Sequence, residues 1–132
     1  LEELENVGLP VLTHGGQGFR PSAIANSLLE YDFPLVISHF GGFPLQAEMM
    51  QAGIDLLEDH GDCYLDTIFV RLRNPIERAL MEHPDRVLFG SGAPASHPNV
   101  AIMEILTLDV SEDAMRKAFT NNPERVIGEL AP

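Results

Sequence analysis

The chain has 132 residues, 45% of them hydrophobic, and its 8 Lys and Arg face 20 Asp and Glu, which gives a formal net charge of -12. This hydrophobic content predicts a packed core and excludes a disordered chain. The negative charge repels phosphate backbones and anionic lipids, which argues against binding to nucleic acid or to a membrane, and no apolar run has the length of a membrane span.

The single cysteine, Cys63, excludes a disulfide within the chain and favours a reducing, cytoplasmic location. No linker or low-complexity stretch divides the sequence, so residues 1–132 are expected to form a single domain. The sequence opens at Leu1 inside what reads as the end of a helix, and we expect the chain to be a piece of something longer.

Four short apolar runs are predicted to be buried strands. They lack the alternation of apolar and polar residues that marks a half-exposed strand, and they are too short for helices, so they fit a parallel sheet covered on both faces. In chain order they are PVLTH (10–14), PLVISH (34–39), CYLD (63–66) and RVLFG (86–90).

Helical patterns separate and follow these runs. They are predicted over residues 1–6, 22–31, 45–59, 74–83 and 100–108, then in a helix capped by Ser111 and another begun by Asn122 and Pro123. The 45–59 helix should bury Leu45, Met49, Ala52 and Leu56. The next helix should start with a capping box at Asn74 and bury Leu80 and Met81.

Alternating strands and helices predict an α/β fold built from four right-handed βα units around a parallel sheet. The strand starts lie 24, 29 and 23 residues apart. Two architectures fit this spacing: an open doubly wound sheet, or half of an eight-stranded barrel, since a complete barrel takes about 250 residues.

Two histidines stand where a βα protein places its functional site, at the carboxyl ends of strands. His14 ends the first strand and His39 the second, and both are followed by paired glycines that allow close approach of a loop. Imidazole is a common ligand of zinc-like ions, so His14 and His39 are the candidate metal ligands.

The remaining candidates are weaker. His60 and His83 end helices and are expected at the surface, whereas His97 could face the site or help to start a helix. Cys63 has no neighbouring base and is expected to be a buried, inert thiol. Ser91 lies in Gly-Ser-Gly-Ala, which does not match the Gly-x-Ser-x-Gly pattern of a nucleophile elbow.

Five segments together resemble the amidohydrolase-related family of the amidohydrolase superfamily. They are THGG (13–16), ISHFGG (37–42), YLDT (64–67), DRVLFGSGAP (85–94) and AFTNNPERVIG (118–128). That family includes metal-dependent hydrolases, lactonases and nonoxidative decarboxylases such as aminocarboxymuconate-semialdehyde decarboxylase. The resemblance covers essentially the whole chain, and it implies four βα units equivalent to the second half of a TIM barrel.

The resemblance also implies roles for the strand ends. In the family, the first barrel strand supplies an HxH-type pair, the fifth and sixth strands supply one histidine each, and the eighth ends in Gly-Ser-Asp-x-Pro. His14 falls at the fifth-strand position and His39 at the sixth, but Gly92 stands where the aspartate would be, and the chain contains no HxH. Asp66 is a conceivable substitute, although its position is structural in the resembling proteins.

The implied activity is that of a metal-dependent hydrolase, or of a nonoxidative decarboxylase, acting on small carboxylated or lactone-like substrates with a divalent metal such as zinc. Two imidazoles fall short of the three protein ligands usual at catalytic zinc, so activity in this chain is expected to be impaired. The alternative is a non-catalytic half-barrel that serves as a folding or interaction module. Open sheet edges predict association with a second copy or with the missing barrel half.

Overall fold

Four parallel strands form one sheet in the order β1-β2-β3-β4, and the computed structural model describes residues 1–128. The strands are β1 (Val11–Thr13), β2 (Leu35–Ile37), β3 (Cys63–Asp66) and β4 (Val87–Leu88). Each strand pairs in parallel with the next, and Leu12, Val36 and Tyr64 lie side by side across the first three. All four strands lie within the predicted runs, which confirms the α/β assignment.

Seven α-helices of the described residues surround or follow the strands. They are α1 (Glu2–Val7), α2 (Pro21–Ser27), α3 (Ala47–Asp59), α4 (Arg73–Glu82), α5 (Pro98–Leu106), α6 (Glu112–Arg116) and α7 (Asn122–Ile127). The Ser111 hydroxyl accepts a hydrogen bond from the Ala114 N–H, as expected for the cap of α6. A widened helical turn over Lys117–Asn121 joins α6 to α7. No helix of this part of the chain is long and apolar enough to cross a membrane.

The outer face of the sheet carries the main core. Side chains alternate along a strand, so Leu35, Ile37 and Leu65 point to the same face, where α2, α3 and α4 cover them. Ile24 of α2 and Ile54 of α3 are completely buried there. Burying a side chain of this size contributes about 1.5–3 kcal/mol relative to leaving it in water.

The inner face carries a smaller cluster. Val36, Tyr64 and Leu88 are buried against one another, and Val126 of α7 packs on them. Leu12, the neighbour of Val36 in β1, is 57% exposed. The inner face is therefore covered along β2 to β4 and open along β1.

The predicted buried face of α3 is wrong by about one residue. The helix buries Met50, Gly53, Ile54 and Leu57, whereas Leu45 precedes the helix and is 49% exposed. Gly53 explains the rotation, because a Cβ on it would lie 2.3 Å from the Phe40 carbonyl oxygen. The helix turns its one glycine toward the loop after β2, and this close approach decides which residues follow into the core.

The start of α4 and one of its buried residues also differ from the prediction. The helix begins at Arg73, and no side chain caps it. Glu77, the expected partner in a capping box, instead forms an ion pair with Arg73, with Nε and Oε1 2.5 Å apart. Leu80 is buried as predicted, but Met81 is 71% exposed because the next residue of a helix lies about 100° around the axis.

Candidate metal centre

The two histidines singled out from the sequence lie next to each other. His14 follows β1 and is exposed, and His39 follows β2 and is half-buried. Their ring centroids are 5.1 Å apart, and the ring planes make an angle of 67°. Adjacent parallel strands end at the same edge of the sheet, which is why residues 25 positions apart meet here.

One nitrogen of His39 is already committed to the protein. Its Nδ1 lies 2.6 Å from the Ile68 carbonyl oxygen, so Nδ1–H donates to that oxygen and Nε2 keeps its lone pair. A histidine whose second nitrogen is held in this way has a fixed tautomer and orientation, which is the usual arrangement around protein metal ions.

Asp66 holds the loop that carries His39. Its carboxylate accepts hydrogen bonds from the Ser38 hydroxyl at 2.5 Å and from the N–H groups of His39 and Ile68, each at 3.1 Å. Burial raises the pKa of this carboxyl above its ordinary value, although the three hydrogen bonds oppose that shift. Asp66 thus links the loops after β2 and β3, in agreement with the structural role implied for it.

The glycines after β1 and β2 let the two loops touch. A Cβ on Gly15 would lie 2.6 Å from the Gly41 Cα, and one on Gly16 would lie 2.4 Å from the Phe43 carbonyl oxygen. The Phe43 N–H donates to the Gly15 carbonyl at 3.0 Å, and the Gln17 N–H donates to the Phe43 carbonyl at 3.2 Å. These backbone contacts fix the separation of the two strand ends that carry the histidines.

Aromatic side chains surround the histidine pair, and the sequence reading missed them. The Phe43 ring is 5.3 Å from the His14 ring and 4.8 Å from the His39 ring, measured between centroids. The Phe69 ring stacks on His39, with centroids 5.9 Å apart and an interplanar angle of 9°. In the sequence, Phe43 directly follows the glycines of ISHFGG, which was the available signal; nothing comparable marks Phe69.

The end of β4 contributes no side chain to the pair. The chain passes through Gly90, Ser91 and Gly92, and Gly92 has a left-handed backbone with φ of 74°. A Cβ on Gly92 would lie 2.6 Å from Cε1 of Phe69. The position that the resemblance assigned to an aspartate is therefore occupied by backbone beside an aromatic ring.

The other candidates take structural positions. His97 caps α5, its Nδ1 accepting a hydrogen bond from the Asn99 N–H at 3.1 Å, so the helix-start alternative is the one observed. His60 and His83 follow the last residues of α3 and α4, as predicted, but they are half-buried rather than at the surface. Cys63 is buried, and desolvation raises the pKa of its thiol to about 12.

The donor set offers two ligands for a metal ion. His14 and His39 present imidazole nitrogens at one edge of the sheet, and the fixed Nδ1 of His39 suits Nε2 to ligation. Among residues 1–128, the one group of three potential ligands within 4.8 Å is Glu58, Glu82 and His83, at helix ends. The pair therefore fits part of a site, and a catalytic zinc needs at least one more ligand.

Comparison with known proteins identifies the family of the chain and several similar folds. A family model described as Amidohydrolase matches residues 1–128. The chain is similar to the uncharacterized TIM-barrel protein Bb4693 from Bordetella bronchiseptica, with 26% identity and a TM-score of 0.80 over 94% of this chain and 47% of that one. It is similar in fold to 2,6-dihydroxybenzoate decarboxylase from Rhizobium, with 15% identity and a TM-score of 0.67 over 95% and 53% of the two chains.

A third similar fold is a dihydroxybenzoic acid decarboxylase from a Polaromonas species, solved with bound manganese. It has 16% identity and a TM-score of 0.59 over 81% of this chain and 38% of that one. This chain spans about half the length of the first two structures, which confirms the predicted half-barrel architecture. No curated protein matches the chain.

Proposed function

The chain belongs to the amidohydrolase family, and we propose that it forms the half of a metal-dependent barrel enzyme that supplies His14 and His39 as ligands. The observation that carries this proposal is the hydrogen bond from Nδ1 of His39 to the Ile68 carbonyl, which leaves Nε2 free beside the His14 ring. Most buried imidazole N–H groups find an acceptor, so it is the combination of this fixed tautomer with the neighbouring His14 that supports ligation.

Each residue of the site has a task in this proposal. Asp66 keeps the loop of His39 in place, and Ile68 fixes the imidazole proton on Nδ1. Phe43 packs against one side of both imidazoles. When bound, a divalent ion, with zinc as our first candidate, supplies Lewis acidity toward a carbonyl or carboxylate oxygen.

The substrate class that we propose is a small carboxylated or lactone-like molecule, hydrolysed or decarboxylated without a redox step. The fold that this chain shares with two dihydroxybenzoate decarboxylases supports decarboxylation as one of the two reactions. The end of β4 bears glycine at residue 92, so this chain brings no acid–base side chain from that strand. We therefore propose that its activity is impaired unless another segment supplies the proton-transfer group.

We further propose that a second half-barrel covers the part of the inner face that is open along β1, and a second copy of this chain is the simplest occupant. Both outer strands of the sheet, β1 and β4, have an unpaired edge among the described residues. Apolar side chains are exposed on the helices that precede β1 and follow β4 in the chain: Leu4 and Val7 of α1, and Val100 and Met103 of α5. Two copies related by a two-fold axis would bring unlike edges together twice.

A non-catalytic module is the second candidate function, and the two-ligand donor set and Gly92 favour it. In this case the chain folds as a half-barrel and acts only through its open face. The cytoplasm is the location that we propose in both cases, because a lone buried cysteine fits a reducing compartment.

Metal content separates the two functions. The chain is purified without chelator, and zinc, manganese and iron per chain are measured by elemental mass spectrometry for the wild type, His14→Ala, His39→Ala and the control His60→Ala. We expect about one ion per chain or per dimer, lost in the first two variants and kept in the control. Absence of stoichiometric metal in the wild type, or full retention in His39→Ala, would leave the non-catalytic module as the function.

A further inference from the structure

Phe69 adopts a backbone conformation that its side chain disfavours. It follows β3 by three residues and has φ of 58°, in the left-handed region that bulky residues rarely enter. Such a residue persists only where its surroundings hold it, and strained positions of this kind cluster at functional sites. The Phe69 ring lies nearly parallel to the His39 imidazole, with the centroids 5.9 Å apart.

The segment from Asp66 to Phe69 contacts His39 at three points. The Asp66 carboxylate accepts a hydrogen bond from the His39 backbone N–H, the Ile68 carbonyl accepts one from Nδ1–H, and the Phe69 ring stacks on the imidazole. The hydrogen bond fixes one edge of the imidazole but leaves it free to tilt. The Phe69 ring, nearly parallel to the imidazole and offset from it, restricts that tilt from one side.

Two glycines at the end of β4 make room for this segment. A Cβ on Gly90 would lie 2.3 Å from Cγ1 of Ile68, and one on Gly92 would lie 2.6, 2.9 and 3.1 Å from three carbons of the Phe69 ring. A methyl group at residue 92 would have to push the ring aside. A displaced ring would leave its present position against His39.

We propose that Phe69 is a positioning residue for the His39 imidazole, and that the missing side chains of Gly90 and Gly92 leave the space that Ile68 and Phe69 occupy. A side chain at residue 92 and the stacked ring of Phe69 thus exclude each other. The position of the Phe69 ring follows from the geometry alone. Its role in directing Nε2 of His39 toward a metal rests on the proposed function.

Residue 92 could be glycine simply because its backbone is left-handed. Gly8, which is also left-handed, provides a matched control for this alternative. Gly8 has φ of 72°, against 74° for Gly92, but a Cβ on Gly8 would meet no atom within 4 Å. Gly8→Ala therefore introduces the same backbone strain without displacing a neighbour. Any effect of Gly92→Ala beyond that of Gly8→Ala comes from the ring of Phe69.

The test is a double-mutant cycle on the full chain without added metal, with Gly92→Ala, Phe69→Ala and the double variant. Long-range nitrogen–proton NMR of the histidine side chains reports the tautomer of His39 and the ring-current shift from Phe69. We expect Gly92→Ala to move the His39 ring signals as far as Phe69→Ala does, and the double variant to move them no further. Gly8→Ala should leave them in place.

Unchanged His39 signals in Gly92→Ala, or additive shifts in the double variant, would overturn the proposed role of Gly92 and Phe69. Melting temperature checks that each variant is folded, and Phe69→Leu, which keeps an apolar side chain without an aromatic ring, replaces Phe69→Ala if that variant unfolds.

Zinc titration of the same proteins separates this inference from the proposed function. If the proposed function holds, Phe69→Ala should weaken zinc binding by about tenfold, the lower end of what loss of an orienting partner costs. A wild type that binds no zinc but shows the expected NMR coupling would overturn the proposed function. The positioning of His39 by Phe69 would still hold.

Discussion

The two faces of the sheet differ in what covers them. On the outer face, Leu35 and Leu65 are completely buried under α2, α3 and α4, with no dependence on any other molecule. On the inner face, burial falls across the strands, from Val36 at 1% exposed to its neighbour Leu12 at 57%. The outer core is therefore complete within this chain, whereas the inner face along β1 is left exposed.

The largest expected effect comes from opening the outer core. Ile54→Ala should lower the free energy of unfolding by about 3 kcal/mol, since the site is fully buried and a cavity would remain. Leu12→Ala removes a similar side chain from the inner face and should cost less than about 0.5 kcal/mol in the monomer. Urea denaturation measures both, and equal losses would contradict the difference between the faces.

The next effect concerns the link between the loops at the carboxyl ends of the strands. Asp66→Ala should cost about 2 kcal/mol, because the Ser38 hydroxyl and the N–H groups of His39 and Ile68 would lose their acceptor. Asp66→Asn keeps an oxygen acceptor and is the matched control, with a smaller loss. A stability of Asp66→Ala equal to that of the wild type would show that the three groups find other partners.

A smaller effect on stability, but a clear one on assembly, should follow from a charge on the inner face. Leu12→Asp is expected to change the free energy of unfolding of the monomer by no more than about 0.5 kcal/mol, and to abolish association through the inner face. Light scattering coupled to size-exclusion chromatography measures the mass. Met81→Asp, at an apolar residue exposed on α4, is the control that should leave the mass unchanged. A wild-type chain that is monomeric would refute the two-copy proposal.

The smallest effect is on the thiol of Cys63, which faces the outer core. Burial raises its pKa from 9.0 to about 12, although the nearby Arg86 guanidinium opposes the shift. The stability that this adds is complete below pH 9 and is lost as the pH rises toward 12, because the unfolded chain releases the proton first. We expect no reaction with a thiol reagent at pH 8 without urea and full reaction in urea. Rapid labelling of the folded protein would mean that the outer core opens.

Much of the architecture was predictable because it depends on local pattern. Four apolar runs of the right length and spacing mark four parallel strands, and histidines at the first two strand ends mark the candidate metal ligands. The rotation of α3 was not predictable from its own periodicity. Gly53 packs against the Phe40 carbonyl in the loop that precedes the helix, and a helical pattern contains no information about that contact.

The sequence by itself determined the α/β class, the order of the units and the pair His14 and His39, since strand ends in parallel sheets meet at one edge. Only the tertiary structure decided the aromatic surroundings of that pair and the relation between Gly92 and Phe69. Those contacts join loops that are distant in the chain, and the glycines that permit them leave no trace in periodicity. The secondary-structure preference of a side chain can be read from the local sequence. The role of a glycine that makes room for another residue becomes apparent only when the tertiary structure brings that residue next to it.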